Sequence, residues 1–363
     1  MKNERNNKMT AGLLSFGLAL ACMTPNLSAQ TGSGSILGNL GPPTTLSTVP
    51  PNGDLNPYGV AFVPVGFPAG GMLQPNDILV SNYNNAQNLQ GTGTTIVRFH
   101  KNQQSVFFQG QPGLGLTTGL AVLKKGFVLV GNMPTTDGTS NTVQPGSLIA
   151  LNSAGQVFWT LVNTRLVNGP WDFTVNDQGG TVQVFVSNVL LGTITRLDLT
   201  VTSNSIALTR GIQISSGYTH RPDPAALEVG PTGLAYDAVR DILYVAGSDE
   251  NAIYGIPNAG NIVADGGLGY RIYMDNLHLH GALAMVLAPN GHLICSNNDV
   301  VNAVAGQPSE LDEFTVDGKF VAQYSVDPAL GGSFGLSTAL INGQTTLAAV
   351  DDNTSSLNIW TVQ

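Results

Sequence analysis

Cysteine and charged residues are both scarce in this chain. It contains two cysteines, Cys22 and Cys295, among 363 residues, and Lys, Arg, Asp and Glu together make up 10% of the chain, against about 25% in an average soluble domain. A disulfide framework is therefore excluded. Cys295 lies in an apolar strand pattern, and we expect it to be a buried, inert thiol. The polar surface must come from Asn, Thr, Ser, Gln and Gly.

Positive charge is the scarcer sign. The chain has 14 Lys and Arg against 23 Asp and Glu, a net charge of −9, and no basic cluster. Such a chain repels the phosphate groups of nucleic acids and of anionic lipids. We therefore exclude nucleic acid and a membrane surface as partners.

Apolar runs long enough to span a bilayer, about 20 residues, are absent. Ala11–Met23 is a shorter apolar run, preceded by the net positive segment Met1–Lys8 and followed by Leu27-Ser28-Ala29. This three-part pattern predicts a signal peptide of residues 1–29, cleaved after Ala29, and a secreted or periplasmic protein without membrane insertion. An uncleaved anchor, a disordered tail and lipid attachment at Cys22 are the alternatives.

A helical period is also absent, and a short repeated phrase occurs instead. Pro57-Tyr58-Gly59-Val60-Ala61 returns as Pro231-Thr232-Gly233-Leu234-Ala235, and four variants of it occur elsewhere. The aligned positions are 49 to 62 residues apart and are 59, 119, 171, 233, 282 and 335. Propeller blades recur at roughly 40–50 residues, so this spacing predicts six blades with loop insertions.

The rest of each unit predicts four strands. A second strand ends in a small polar phrase such as Val80-Ser81-Asn82, and two further strands flank a turn such as Asn152-Ser153-Ala154-Gly155. Four strands per unit predict an all-β, six-bladed β-propeller in one domain, residues 30–363. The last blade lacks a fourth strand, and we expect Pro43–Pro50 to supply it and close the ring.

This organisation resembles the NHL-repeat propellers and, more distantly, the gluconolactonase-like and streptogramin-lyase-like families. The resemblance rests on the Pro-x-Gly-[Val/Leu]-Ala opening and the Asn/Asp-x-x-Gly hairpin. Resemblance to gluconolactonase-like enzymes implies a cation held by a Glu of the first blade with Asn and Asp of other blades, but Asn56–Phe99 contains no Glu. The lyase type implies a His and Glu pairing that this sequence does not show. The fold alone does not settle the function.

Strand order gives the propeller two faces. The hairpin face carries the turns between strands one and two and between strands three and four of each blade. The loop face carries the loops between strands two and three and the segments that lead into each inner strand. We predict a ligand-binding site at the central mouth of the loop face. The candidate residues are Asn82, Asn132, Asp172, Asn188, Asp249, Asn297 and Asp351.

Two kinds of ligand fit these side chains. Carboxylate and amide oxygens that converge on the axis suit Ca²⁺ or a polar ligand such as a sugar. Asp172, His278 and His280 are further candidates for a metal site. The alternatives are that the Asn and Asp residues stabilise turns, that the histidines are ordinary core or surface residues, and that Asp172 caps backbone amides. Trp171 takes the place of the opening glycine in this alignment.

The sequence therefore predicts an exported, monomeric propeller that binds a small polar ligand, a glycan or a protein. A metal-dependent hydrolase or lyase at the same mouth is the alternative, with His278 or His280 as the acid or base. No Gly-x-Ser-x-Gly motif, phosphate loop or cysteine metal motif occurs in the sequence.

Overall fold

The computed structural model describes residues 34–299, 301, 303 and 309–362. In this part of the chain the strands form six four-stranded sheets and one two-stranded sheet, and the helices are two 3₁₀ turns, Leu37–Asn39 and Ser140–Thr142. None of these helices is long or apolar enough to cross a membrane. The predicted signal peptide, residues 1–29, lies outside the described residues.

Blades 1 to 3 follow a first strand, β1 (Thr44–Ser47), that belongs to the last blade. Blade 1 contains β2 (Leu55–Phe62), β3 (Ile78–Asn84), β4 (Thr95–His100) and β5 (Gln103–Gln109). Blade 2 contains β6 (Leu116–Leu123), β7 (Phe127–Asn132), β8 (Ser147–Asn152) and β9 (Val157–Leu161). Blade 3 contains β10 (Pro170–Asp177), β11 (Thr181–Asn188), β12 (Thr193–Thr202) and β13 (Ser205–Ser216).

A two-stranded hairpin, β14 (Arg221–Asp223) and β15 (Leu227–Val229), precedes blades 4 to 6. Blade 4 contains β16 (Pro231–Asp237), β17 (Ile242–Gly247), β18 (Ala252–Pro257) and β19 (Tyr270–Met274). Blade 5 contains β20 (Ala282–Leu287), β21 (Leu293–Asn297), β22 (Glu310–Phe314) and β23 (Phe320–Ser325). Blade 6 contains β24 (Ser333–Ile341), β25 (Gln344–Asp351), β26 (Ser356–Thr361) and β1.

The first strands of the six blades surround a common axis. Each inner strand contacts the inner strand of the next blade, and β24 contacts β2. Apolar side chains of facing blades pack together in separate clusters between neighbouring blades. The structure is the six-bladed β-propeller that the sequence predicts.

Blade 6 takes its outer strand from the N-terminal side of the chain. Strand β1 pairs antiparallel with β26, with Thr44 opposite Ile359 and Ser47 opposite Ser356. This strand lies within the segment 43–50 to which the sequence analysis assigns it.

A buried carboxylate anchors the segment before β1. Glu313 of blade 5 accepts hydrogen bonds from the Ser35 hydroxyl (2.7 Å) and from the backbone N–H groups of Ile36 (3.1 Å) and Leu37 (2.9 Å). Asn290 and His292 donate to the same carboxylate. Burial alone would raise the pKa of Glu313, but the hydrogen bonds from Ser35, Leu37 and His292 together lower it.

Close packing of neighbouring blades explains the glycine of the repeated phrase. A Cβ atom at Gly335 would collide with the carbonyl oxygen of Tyr58, and one at Gly233 would collide with the backbone of blade 5 at Leu283. A side chain at this position would therefore push two inner strands apart.

The register shows that Asp172, rather than Trp171, takes this glycine position in blade 3. The backbone N–H of Gly59 donates to the hydroxyl of Ser81 in blade 1, and the N–H of Asp172 donates to Ser187 in blade 3 in the same way. The sequence alignment was wrong by one residue here and by two in blade 5, where the N–H of Ala284 donates to Ser296, because neither blade has a glycine at this position to mark it.

Candidate functional site

The four candidate asparagines donate hydrogen bonds to the backbone segments that lead into blades 1, 2, 3 and 5. Each lies at or near the end of a second strand: Asn82, Asn132, Asn188 and Asn297. Their amides donate to the carbonyl oxygens of Thr48 (3.2 Å), Leu114 (3.0 Å), Leu166 (3.3 Å) and His278 (2.6 Å), all of which lie in the segment leading into the same blade. Each of these hydrogen bonds holds its amide against the backbone of its own blade.

The two acidic candidates of blades 4 and 6 also have local partners. Asp249 forms an ion pair with Arg221 of the β14–β15 hairpin at 2.8 Å. Asp351 accepts the Thr354 hydroxyl, and burial raises its pKa. The contact of Asp351 lies within its own turn, as the turn-stabilising alternative expects, whereas that of Asp249 joins two separate segments of the chain.

The two candidate histidines do not form a metal site with Asp172. His278 contacts Asp275 (2.8 Å) and the Tyr273 hydroxyl (2.9 Å), and its ring stacks on Phe320. His280 is fully buried, and its backbone N–H donates to Asn297. Among the described residues, no group of three or more His, Cys, Asp or Glu side chains could hold a metal ion.

Aromatic side chains fill the loop-face end of the axis. The ring of Tyr58 stacks on those of Tyr83 and Phe334, with centroids 4.5 Å apart in both pairs, and Trp171 meets Tyr58 edge-on at 5.5 Å. Leu227, from the β14–β15 hairpin, belongs to the same buried cluster. The cation that the resemblance implies does not fit here, because aromatic and aliphatic groups occupy the place where its carboxylate and amide ligands would have to converge.

A cavity of about 240 Å³ on the axis opens on the hairpin face instead; we call it the axial channel. All six inner strands contribute to its wall. The lining residues are Val60, Thr118, Leu120, Ala121, 172–175, 234–236, 284–287 and 336–338. Each inner strand is the edge of its sheet, so unpaired backbone N–H and C=O groups face the axis between these side chains. The channel can therefore offer hydrogen bonds although many of its side chains are apolar.

Asp172 lies at the closed end of the axial channel, just below the aromatic cluster. Its Oδ1 accepts the backbone N–H of Phe173 at 2.7 Å, and its Oδ2 accepts that of Leu234 in blade 4 at 3.3 Å. Burial raises the pKa of this carboxyl to about 7, although both N–H groups act to lower it. Near neutral pH the side chain therefore exists in both the acceptor-only form and the protonated, donating form.

Thr118 supplies a second polar group to the channel wall. Its Oγ1 is buried and has no hydrogen-bond partner among the described residues. A buried hydroxyl without a partner costs about 1–3 kcal/mol unless a ligand or water satisfies it. Thr118 and Asp172 together would stabilise a polar molecule bound near the closed end of the channel.

Sequence reasoning missed the face on which this cavity opens. Of the candidate residues, only Asp172 lines it, while Thr118, Tyr236 and Thr338 were not singled out. One signal pointed to the axis: Asp172 is the charged residue in a series of openings that are otherwise small or apolar.

No protein-family model matches this sequence, and no curated protein sequence matches it significantly. Solved structures do match. One is a gluconolactonase from Xanthomonas campestris, 14% identical, with a TM-score of 0.52 over 90% of this chain and 91% of that chain. Another, from Thermus thermophilus, is provisionally named as an oxidoreductase (glucose dehydrogenase); it is 12% identical, with a TM-score of 0.52 over 88% of this chain and 99% of that one.

This chain shares the six-bladed propeller fold with both. At these identities the likeness shows the fold alone. The predicted resemblance to gluconolactonase-like propellers is confirmed at that level.

Proposed function

We propose that this propeller binds a small polar molecule in the axial channel. The observation that carries the proposal is the pairing of a buried carboxyl, Asp172, with a buried hydroxyl that lacks a partner among the described residues, Thr118, in the wall of an open cavity. A concave pocket with a few convergent polar groups is the usual form of a small-molecule site.

The lining limits the charge of the ligand. No Lys, Arg or His is among the described residues of the channel wall, and Asp172 is its one carboxyl group. An anion would therefore meet a carboxylate and no compensating cation. Neutral molecules with hydroxyl or amide groups, and small amines, fit better.

The alternative of a metal-dependent hydrolase or lyase at the loop-face mouth has less support. Asn82, Asn132, Asn188 and Asn297 are already used to hold backbone segments. The mouth itself is filled by the cluster around Tyr58. We therefore place the ligand on the hairpin face rather than at the loop-face mouth.

A thermal-shift screen with a matched pair of variants tests the proposal. Ala121→Trp fills the channel, whereas Ala69→Trp adds the same side chain at an exposed loop position on the hairpin face. Sugars, polyols, amino acids and polyamines at about 10 mM form the library, and a ligand bound only by the folded protein raises the melting midpoint. We expect at least one compound to raise it by several degrees in the unmodified protein and in Ala69→Trp, but not in Ala121→Trp. No shift with any compound, or a shift that persists in Ala121→Trp, would overturn the proposal.

We also propose that the protein is exported, with cleavage after Ala29. The support is the positive segment, apolar run and small-residue site of residues 1–29. Intact mass measurement of protein secreted by an expressing cell tests this. We expect a chain that starts at Gln30, and an uncleaved chain or a lipid-modified Cys22 would contradict it.

A further inference from the structure

A second cavity adjoins the axial channel on the hairpin face. It is a groove of about 410 Å³ between blades 3 and 4. Its lining is mostly polar and comprises Asn176, Gln178, Thr181, Val182, Gln183, Asp198, Leu199, Tyr236, Ala238, Asp241, Gly260 and Asn261. Tyr236 lines both this groove and the channel, so the two cavities meet at that residue.

Hydrogen bonds hold the polar side chains of the blade 3 wall in fixed directions. The amide of Asn176 donates to Gln183 Oε1 (3.1 Å), and Gln183 Nε2 donates to Asp198 Oδ1 (3.3 Å) and to the carbonyl of Gly260 (2.8 Å). These three side chains are only partly buried, so each keeps a polar edge toward the groove. Preorganised amides and carboxylates of this kind bind hydroxyl groups at a low entropic cost.

Asp241 holds the blade 4 wall in the same way. Its Oδ1 accepts the Tyr236 hydroxyl (2.9 Å) and the backbone N–H of Gly260 (2.6 Å), and its Oδ2 accepts the amide of Asn261 (2.8 Å). A Cβ atom at Gly260 would lie within 3.2 Å of Tyr236, Asp241 and Gln183, so a side chain at this position would displace these groups. The ring of Tyr236 packs on Phe185 at 4.7 Å, so its position is fixed as well.

Positive charges near the groove have partners of their own, including Arg240, which pairs with Asp237 at 2.6 Å. Arg196 is buried, pairs with Asp198 at 2.9 Å and donates to the carbonyl of Ala259 at 2.8 Å. Among the described lining residues there is no Lys, Arg or His, so the groove offers two carboxylates and several amides but no cation. This chemistry favours a chain of neutral hydroxyl-bearing units and disfavours phosphorylated or acidic ones.

We propose that the ligand is a neutral oligosaccharide, with one terminal sugar unit in the axial channel and the following units in the groove. This rests on the proposed function, because the channel supplies the first subsite. The groove, at about 410 Å³, is larger than the channel, at about 240 Å³, so it has room for at least one further unit of the size that the channel admits. Planar amides, carboxylates and the aromatic ring of Tyr236, which borders both cavities, supply the hydrogen bonds and apolar contact that successive sugar rings need.

Titration calorimetry with sugars of two lengths tests the inference. The probes are glucose and xylose, each paired with neutral tetrasaccharides: maltotetraose and cellotetraose for glucose, and xylotetraose for xylose. We expect at least one tetrasaccharide to bind tenfold or more tightly than its monosaccharide. The groove variant Gln178→Ala with Asn261→Ala removes two exposed amides and should weaken that tetrasaccharide tenfold or more while leaving the monosaccharide unchanged. The control variant Gln103→Ala with Asn204→Ala removes two exposed amides from other hairpins and should change neither.

The outcomes separate this inference from the channel proposal. Equal affinity for monosaccharide and tetrasaccharide, or a tetrasaccharide affinity that the groove variant leaves unchanged, overturns the inference. If Ala121→Trp still abolishes binding in that case, the channel proposal stands alone. If none of the sugars binds the unmodified protein, the oligosaccharide inference is overturned, and the wider thermal-shift screen decides the channel proposal separately.

Discussion

The carboxylate of Asp172 in blade 3 accepts the backbone N–H of Leu234 in blade 4, so one side chain joins two inner strands. In blades 1, 2, 4 and 6 the equivalent position is a glycine, and neighbouring strands pack directly against it. Blade 3 therefore replaces a close backbone contact by a buried acid. The same carboxyl closes the axial channel, which links the stability of this joint to the chemistry of the candidate site.

The ionisation of Asp172 should make the free energy of unfolding depend on pH. The folded state raises its pKa from 3.8 to about 7, so the folded chain holds this proton more tightly than the unfolded chain. The contribution of Asp172 to the free energy of unfolding should therefore fall as pH rises from about 4 to about 7, by up to about 4 kcal/mol. Asp172→Asn lacks this dependence.

Urea unfolding at four pH values between about 4 and about 8 checks this expectation. The difference in unfolding free energy between Asp172→Asn and the unmodified protein should rise with pH over this window. Asp317→Asn, at a position that is mostly exposed, serves as the control and should give a flat difference above about pH 5, because hydrogen bonds from Thr315 and Lys319 lower the pKa of this carboxyl. A flat difference for Asp172→Asn as well would contradict the raised pKa.

Replacement of the opening glycine should separate two blades. Gly335→Ala places a methyl group against the carbonyl oxygen of Tyr58, and relief requires the inner strands of blades 6 and 1 to move. We expect a loss of about 3 kcal/mol or more in unfolding free energy. Gly180→Ala has open space around its Cβ and should raise it by about 0.4–1 kcal/mol, because alanine lowers the entropy of the unfolded chain. Equal effects in a denaturant titration would show that this packing does not explain the repeated phrase.

The N-terminal anchor should depend on Glu313. Glu313→Ala leaves the buried N–H groups of Ile36 and Leu37 without their acceptor, at a cost of about 3 kcal/mol. Limited proteolysis should then cut the segment 34–40 faster than in the unmodified protein. Asp317→Ala removes an exposed carboxylate and should leave both measurements unchanged. A Glu313→Ala protein with unchanged stability and cleavage would disprove the anchoring role.

Glu310 in blade 5 should destabilise the fold when it ionises. Both carboxylate oxygens are buried without a partner among the described residues, and burial together with nearby Asp299 raises its pKa to about 8. The unfavourable contribution therefore grows as pH rises from about 4.5 to about 8. We expect Glu310→Gln to raise the unfolding free energy near pH 8 by about 1–3 kcal/mol and to have little effect near pH 4.5. A destabilised variant near pH 8 would contradict this.

The repeated phrase and the strand patterns were sufficient to predict the six blades. Glycines such as Gly59 and Gly233 lie where one inner strand packs against the next, so each of them marks one blade. Such a marker can be recognised in a short stretch of sequence. The face of the site was harder to predict. Whether the mouth is open depends on where Tyr58, Trp171 and Phe334 meet in space, and residues far apart in the sequence decide this together.

The asparagines illustrate the same limit. Asn82 and Asn188 carry the amide groups that a polar ligand needs, and the sequence does not show that Thr48 and Leu166 already accept their hydrogen bonds. Side-chain type is read directly from sequence, whereas the availability of a side chain depends on its partners. Asp172 lines the channel and lies at the β-bulge of its inner strand.

A crystal structure of the protein soaked with the compound that gives the largest thermal shift tests the central claim most directly. The account predicts ligand density in the axial channel, within hydrogen-bonding distance of Asp172 and Thr118 and open toward the hairpin face. Ligand density on the loop face, or a channel that stays free of the ligand in a protein shown to bind it, would contradict the account.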